Sequence, residues 1–304
     1  MRTRILLLGL SIWGSCGYFL SPFHLQAIVW VYLLLLFAPL VIFPFIFVEQ
    51  KTQKFQSVLF LLATASFTFS FLIEPSLLAG LLVLPYFLFI AHRFLNEADR
   101  FWRKPSWQIT DFLTVVPLLN LLVGILWAFA DRIQVSPFGF SPVIVLLTAA
   151  HLHYAGFILP FLCHQLVTFA PSKERTLIAW GILLGFPITA IGITASHFGL
   201  PLLIEQIGAT FMAFSAMGLA ISQLYLFRKY HFNFFSTALL LLFSLSLLSS
   251  MVFALLYAWR LQAYFPWITI PWMYAVHGSL NVFGMGLIGT LFWVKFKPIE
   301  GRMK

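Results

Sequence analysis

The chain has 304 residues, of which 61% are hydrophobic and only 9% charged, and its net charge is +9. So few charges cannot cover a water-soluble fold, which carries about 25% charged residues, and the surface must therefore face lipid. The positive excess gathers at the ends of apolar runs, which argues against a nucleic-acid partner and for a membrane-orienting role.

A spanning helix needs roughly 20 apolar residues. Ten candidates follow one another, at about 5–20, 25–48, 57–73, 76–95, 110–130, 141–170, 176–197, 202–227, 233–258 and 270–294. The expected fold is all-α: a polytopic transmembrane helix bundle in a single domain, 1–304, set in a cell membrane, with the lipid bilayer as its first partner. The opening MRTRILLLGLSIWGSCG has the outline of a lipoprotein signal ending at Cys16. Trp13 stands where such signals favour Leu, and many spans follow, so an uncleaved first helix is expected. Cys163 also lies in an apolar run, which leaves no disulfide framework or CxxC site. Residues 96–109, NEADRFWRKPSWQI, read as a connecting loop with Trp102 and Trp107 as interface anchors. The sixth span is long, since thirty residues rise about 45 Å against a core of about 30 Å, and Pro160 inside it predicts a kink.

Basic residues orient the bundle. With ten spans and both termini cytoplasmic, the inner segments hold sixteen Lys and Arg, at positions 2, 4, 51, 54, 93, 100, 103, 104, 173, 175, 228, 229, 295, 297, 302 and 304. The outer segments hold two, Arg132 and Arg260. That asymmetry is the positive-inside pattern. Two halves of five spans would lie inverted in the membrane, as in many transporters, although no residue match between the halves supports a repeat.

Ionisable groups at membrane depth usually face a cavity or a partner. In the sixth span, AHLHYAGFILPFLCH places His151 and His153 near the midplane and His164 near the inner edge. His151 and His153 are two apart and point to nearly opposite faces, so one regular helix cannot chelate an ion with both. Pro160 leaves the carbonyl of Gly156 without its helical donor. In the tenth span, HGSLNVFGMGLIGTLFW sets His277 and Asn281 on one face, with glycines that admit a neighbouring helix. Glu205 and Gln206 lie just inside the outer end of the eighth span, His197 and Glu74 at outer helix ends, and Asn120 near the middle of the fifth. Helix packing with hydrogen-bonded histidines is the bland reading of all of these. The sharper reading is a pocket shared by the sixth and tenth spans and lined by His151, His153, Tyr154, His277 and Asn281, with Glu205 nearby.

The two motifs carry a resemblance. HLHYAGFILP at 151–160 and HGSLNVFG at 277–284 resemble the HxHYAGF and HGxLNxxG segments of the YndJ-like family of bacterial multi-span membrane proteins. Leu152 stands where an aromatic is common and Val282 where a small residue is common. The resemblance implies a multi-span membrane protein, sometimes labelled a transporter. It directs attention to His151, His153, Tyr154, Gly156, His277, Gly278 and Asn281.

No P-loop, HExxH, GxSxG or dinucleotide fingerprint is present, so an enzyme is the less favoured reading. The expected function is a transporter or channel for a small solute or ion, with proton coupling through His153 or His277, since histidine is the side chain whose unperturbed titration falls in the physiological range. No cofactor is expected on that reading. The alternative is a haem- or metal-binding membrane oxidoreductase using His151, His153 or His277, or else a sensor or accessory subunit.

Overall fold

The computed structural model describes residues 2–20, 26–48, 54–104, 106–262, 265 and 267–295. Of the orienting charges, Lys51, Lys297, Arg302 and Lys304 lie outside the described residues, as does the Lys295 side chain. The described residues form helices, turns and connecting segments, with no strand among them.

Nine helices among the described residues are long and apolar enough to cross a membrane. They are α2 (Ile28–Phe47), α3 (Lys54–Leu72), α4 (Leu77–Arg103), α5 (Ile109–Arg132), α6 (Pro142–Phe169), α7 (Lys173–His197), α8 (Leu203–Lys229), α9 (Phe234–Ala258) and α10 (Ile270–Val294). Before them stands α1 (Arg2–Leu20), whose apolar stretch Leu6–Leu20 is shorter. With no water inside a bilayer, helices are the way such a chain satisfies its own backbone groups. The protein is thus an all-α multi-pass cell-membrane protein, and every expected span corresponds to a helix.

Capping residues mark where the chain turns. Ser76, Ser172 and Asn233 each accept a hydrogen bond from the backbone N–H three residues on, opening α4, α7 and α9. Gly199, at φ +82°, provides the left-handed residue beyond α7. The expected loop at 96–109 is largely helix instead, because α4 runs on to Arg103. Pairs one turn apart, Arg100 with Glu97 at 3.0 Å and Arg103 with Asp99 at 2.8 Å, extend it. It ends at Lys104, immediately before Pro105, where the helical conformation is disfavoured.

The chain divides into two compact units. The first comprises residues 1–106 and 115–157, the second 107–114 and 158–304. In the first, α1 packs on α2, α2 on the first half of α6, and α3 on α4. Its centre is a cluster of rings: Phe47 meets Phe43, Phe60, Phe89 and Phe157 at centroid separations of 5.5–6.0 Å. In the second, α7 lies along α8, α8 along α9, and α9 along α10, while the second half of α6 contacts α7, α8 and α10.

Three of the described spans carry π-helical stretches. Ala38–Ile42 in α2, Tyr154–Ile158 in α6, and Met273–Gly278 with Leu280–Ile288 in α10 are wider π-helical stretches. Such segments concentrate at functional sites. The expected kink in α6 thus takes the form of a π segment ending just before Pro160.

Candidate functional site

The residues singled out from sequence divide between the units. His151, His153 and Tyr154 belong to the first; Glu205, His277 and Asn281 belong to the second.

In the first unit, the π segment of α6 disposes its polar groups around an aromatic core. His151 and His153 leave the helix in different directions, as their spacing predicts: His151 is exposed and His153 fully buried. The Nδ1 of His151 is 2.8 Å from the carbonyl of Leu147. The Nδ1 of His153 is 2.8 Å from the carbonyl of Ala149. A carbonyl only accepts, so Nδ1 of each ring carries the proton. The Nε2 of His153 then presents a lone pair, and it has no hydrogen-bond partner in the protein. Its ring is stacked on Phe43, Phe67 and Tyr86 at 6.1–6.4 Å. The Tyr86 hydroxyl in the same cluster is likewise buried without a partner.

Tyr154 donates its hydroxyl to the carbonyl of Leu34, 2.7 Å away, in the turn of α2 just ahead of Pro39. Asn120 of α5 donates its Nδ2 to the carbonyl of Gly156 at 3.0 Å. That carbonyl is the one Pro160 leaves without a helical donor, so the neighbouring helix supplies it. Gly156 is small because α5 comes close: a Cβ there would stand 3.0 Å from the Cβ of Asn120.

Sequence reasoning placed Arg132 in an outer loop. It is fully buried instead, at the end of α5. Its Nε and Nη2 donate to Oδ2 of Asp131 at 2.8 and 2.6 Å, Nη2 also donates to the Tyr32 hydroxyl, and Nη1 reaches the carbonyl of Ser70 at 3.4 Å. The guanidinium lies over the rings of Tyr32 and Phe71 at 4.8 and 4.6 Å. A buried cation persists when paired and fully hydrogen-bonded, and here α2, α3 and α5 all contribute. The adjacent Asp131 is the signal in the sequence; the remaining partners come from distant spans.

In the second unit, His277 is buried in α10 and is held at both ring nitrogens. Its Nδ1 lies 2.8 Å from the carbonyl and 2.9 Å from the hydroxyl of Ser250 in α9. Its Nε2 lies 3.0 Å from Nδ2 of Asn281. The carbonyl requires Nδ1 to be the donor, so Nε2 accepts from the Asn281 amide. The other amide atom, Oδ1 of Asn281, is buried with no partner. One turn on, a Cβ at Gly284 would collide with the Ser246 side chain, so α9 and α10 meet closely at this level.

Glu205 is buried near the start of α8, where it accepts from the Ser196 hydroxyl at 2.6 Å and lies 3.8 Å from Arg260. Gln206 donates to the carbonyl of Ala258 at 3.1 Å and to the Gln262 amide oxygen at 2.7 Å. This polar set ties together the turns at one end of α7, α8 and α9. His197 and Glu74 are exposed and His164 is half-buried. Among the described residues no three His, Cys, Asp or Glu are grouped as a metal site.

Residues 33–285, which include both histidine motifs, match the YndJ-like protein family. The chain belongs to that family. It is similar to the uncharacterized membrane protein YndJ of Bacillus subtilis (strain 168), with 26% identity over 259 residues. That alignment covers 83% of this chain and 45% of the relative, so the chain spans under half the relative's length. No solved structure matches. The family match runs from α2 into α10 and takes in the His277–Asn281–Ser250 cluster, the stacked His153 and the Asp131–Arg132 pair.

Proposed function

We propose that the chain is a transporter or channel for a small solute or ion, and that protons drive it through His277. The observation that carries this reading is the pairing of His277 Nε2 with an amide whose own oxygen is unsatisfied. A neutral ring accepts from Nδ2 of Asn281. A protonated ring needs an acceptor at that position, and a half-turn of the same amide presents Oδ1 there. Asn281 thus serves both protonation states without moving the helix, while the Ser250 carbonyl holds Nδ1 throughout. The π-helical backbone of α10 supports the reading, because widened turns in a span mark places where the helix departs from simple packing.

The test is proton flux into proteoliposomes carrying an internal pH dye. With a pH gradient imposed, the protein should pass protons faster than empty liposomes do. His277→Gln, which keeps hydrogen bonding but carries no proton, should fall to the empty-liposome rate. Wild-type flux in folded His277→Gln would sink the proposal.

The positive-inside asymmetry supports an orientation with both termini cytoplasmic. Reporter fusions after Lys104, Lys173 and Lys229 should each read cytoplasmic, and an external signal at any of them would overturn it.

A haem- or metal-binding protein is a second reading, favoured by one observation. The buried Nε2 of His153 offers a lone pair with no protein partner, as an axial ligand does. An absorption spectrum with metal analysis of the purified protein decides it. A Soret band or stoichiometric metal, lost in His153→Ala, would support it; a colourless, metal-free protein would remove it.

A further inference from the structure

The second unit carries a series of buried side-chain polar atoms with no hydrogen-bond partner among the described residues. Oδ1 of Asn281, the hydroxyls of Ser244 and Thr290, the indole N–H of Trp293 and both amide atoms of Gln223 are buried without a hydrogen-bond partner. Ser244, Gln223, Thr290 and Trp293 are fully buried as residues. Burying such groups unpaired is expensive, and native structures do it rarely. Elsewhere in this chain helical hydroxyls turn back onto the carbonyl four residues earlier, as Thr148, Thr176, Thr189 and Ser215 do at 2.7–3.0 Å. Ser244 and Thr290 do not take that local bond.

Their placement is ordered. Helices α9 and α10 run antiparallel, and three contacts fix their register: Ser250 with His277, Ser246 with Gly284, and Phe243 with Gly289. Ser244 therefore lies between the levels of Gly284 and Gly289, Thr290 follows, and Trp293 lies near the end of α10. Gln223 is near the end of α8, at the same end of the unit, because α8, α9 and α10 alternate in direction. From Asn281 to Thr290 is nine residues, most of them in the π-helical stretch Leu280–Ile288, whose smaller rise keeps the separation under about 13 Å. With Ser244 between them, successive groups stand about two hydrogen bonds apart, the spacing that a bridging water spans.

We infer that the second unit holds a hydrated path from the Arg228–Lys229 side to Asn281 and His277, lined by Ser244, Thr290, Trp293 and Gln223, which admits water, protons and small ions. The path deepens the proton reading of His277 and rests on it for its purpose. Side chains with donor and acceptor capacity carry water along it.

The test is aqueous access. Cys16→Ala and Cys163→Ala remove the native thiols. Cysteines are then placed at Ser244 and Thr290, at exposed Leu245 on the apolar surface of α9, and at exposed Lys173, the first residue of α7. Membranes of each orientation are treated with a small charged methanethiosulfonate. Ser244→Cys and Thr290→Cys should react far faster than Leu245→Cys, and only from the side that labels Lys173→Cys. Rates no faster than at Leu245→Cys would overturn the path. The unsubstituted protein gives a second reading that needs no variant: hydroxyl radicals generated in place from water should oxidise Trp293, and an unmodified Trp293 would equally overturn it. Labelling without proton flux would leave the path standing and remove the proton reading. Flux without labelling or oxidation would do the reverse.

Discussion

The two compact units are held together differently. The first packs large rings around one buried ion pair: Phe43, Phe47, Phe60 and Phe157 form its centre, and Arg132 with Asp131 ties α5 to α2 and α3. The second brings helices close through small residues. A Cβ on Gly192 would stand 2.6 Å from the Cα of Glu205, and one on Gly208 2.9 Å from the Cα of Thr189. Association within a bilayer gains nothing from hiding apolar surface, so packing must come from shape or polar bonds. Close approach serves both units, since a Cβ on Gly9 of the first would collide with the carbonyl of Leu40, and the first adds rings around a buried charge pair. The same contrast separates their unpaired polar groups. In the first unit the orphaned His153 sits among stacked rings. In the second, orphaned groups follow one another along α9 and α10.

The sharpest way to break this contrast is to remove the charge. Arg132→Ala leaves Asp131 buried and unpaired and should cost about 3–5 kcal/mol, read as a large drop in the thermal unfolding midpoint in detergent. Replacing both members with apolar residues of similar size, Asp131→Leu with Arg132→Met, should recover most of that loss. A double variant as unstable as Arg132→Ala would show that the pair does more than neutralise itself.

Next comes the close approach of α7 and α8. Gly192→Ala and Gly208→Ala force a methyl against backbone and should each cost about 1–3 kcal/mol. Gly14→Ala, where a Cβ meets nothing within 4 Å, should be neutral or slightly stabilising by the same measurement. Equal effects at all three positions would show that backbone contact does not set the cost.

A smaller effect is expected at Asn120→Ala, which strips the carbonyl of Gly156 of its donor, at about 1 kcal/mol. If Pro160→Ala restores the helical donor, the pair of substitutions should be less destabilising than their sum, which a double-mutant cycle measures. The smallest is Asn233→Ala, which removes the side-chain cap on α9 and should cost about 0.5–1 kcal/mol. Its loss should fall within the second unit, as hydrogen exchange confined to the start of α9.

Much of the architecture was legible in the residues themselves. Apolar runs marked where helices form, because a bilayer imposes both a thickness and a demand that each backbone group be satisfied within its own helix. Pro160 announced an interruption in α6, and the four-residue spacing of His277 and Asn281 announced their shared face. The extension of α4 through residues 96–103 was missed, since its charged composition reads as loop although its acidic and basic residues are spaced to pair along a helix. The family, too, was readable from two short motifs.

Tertiary structure decided what those residues meet. Sequence places Arg132 at the end of an apolar run, where a loop charge is the simplest reading; only the fold brings Tyr32 and the carbonyl of Ser70 to it from spans about 100 and 60 residues away. Sequence exposes a carbonyl at Gly156 but cannot say that Asn120 meets it. Nor can it tell that His277 is held at both nitrogens while His153 keeps a bare one among rings. The reason is physical. In lipid every helix is apolar nearly all round, so the periodicity that marks the inner face of a soluble helix is weak, and the choice of neighbours falls to shape and to a few polar contacts across helices.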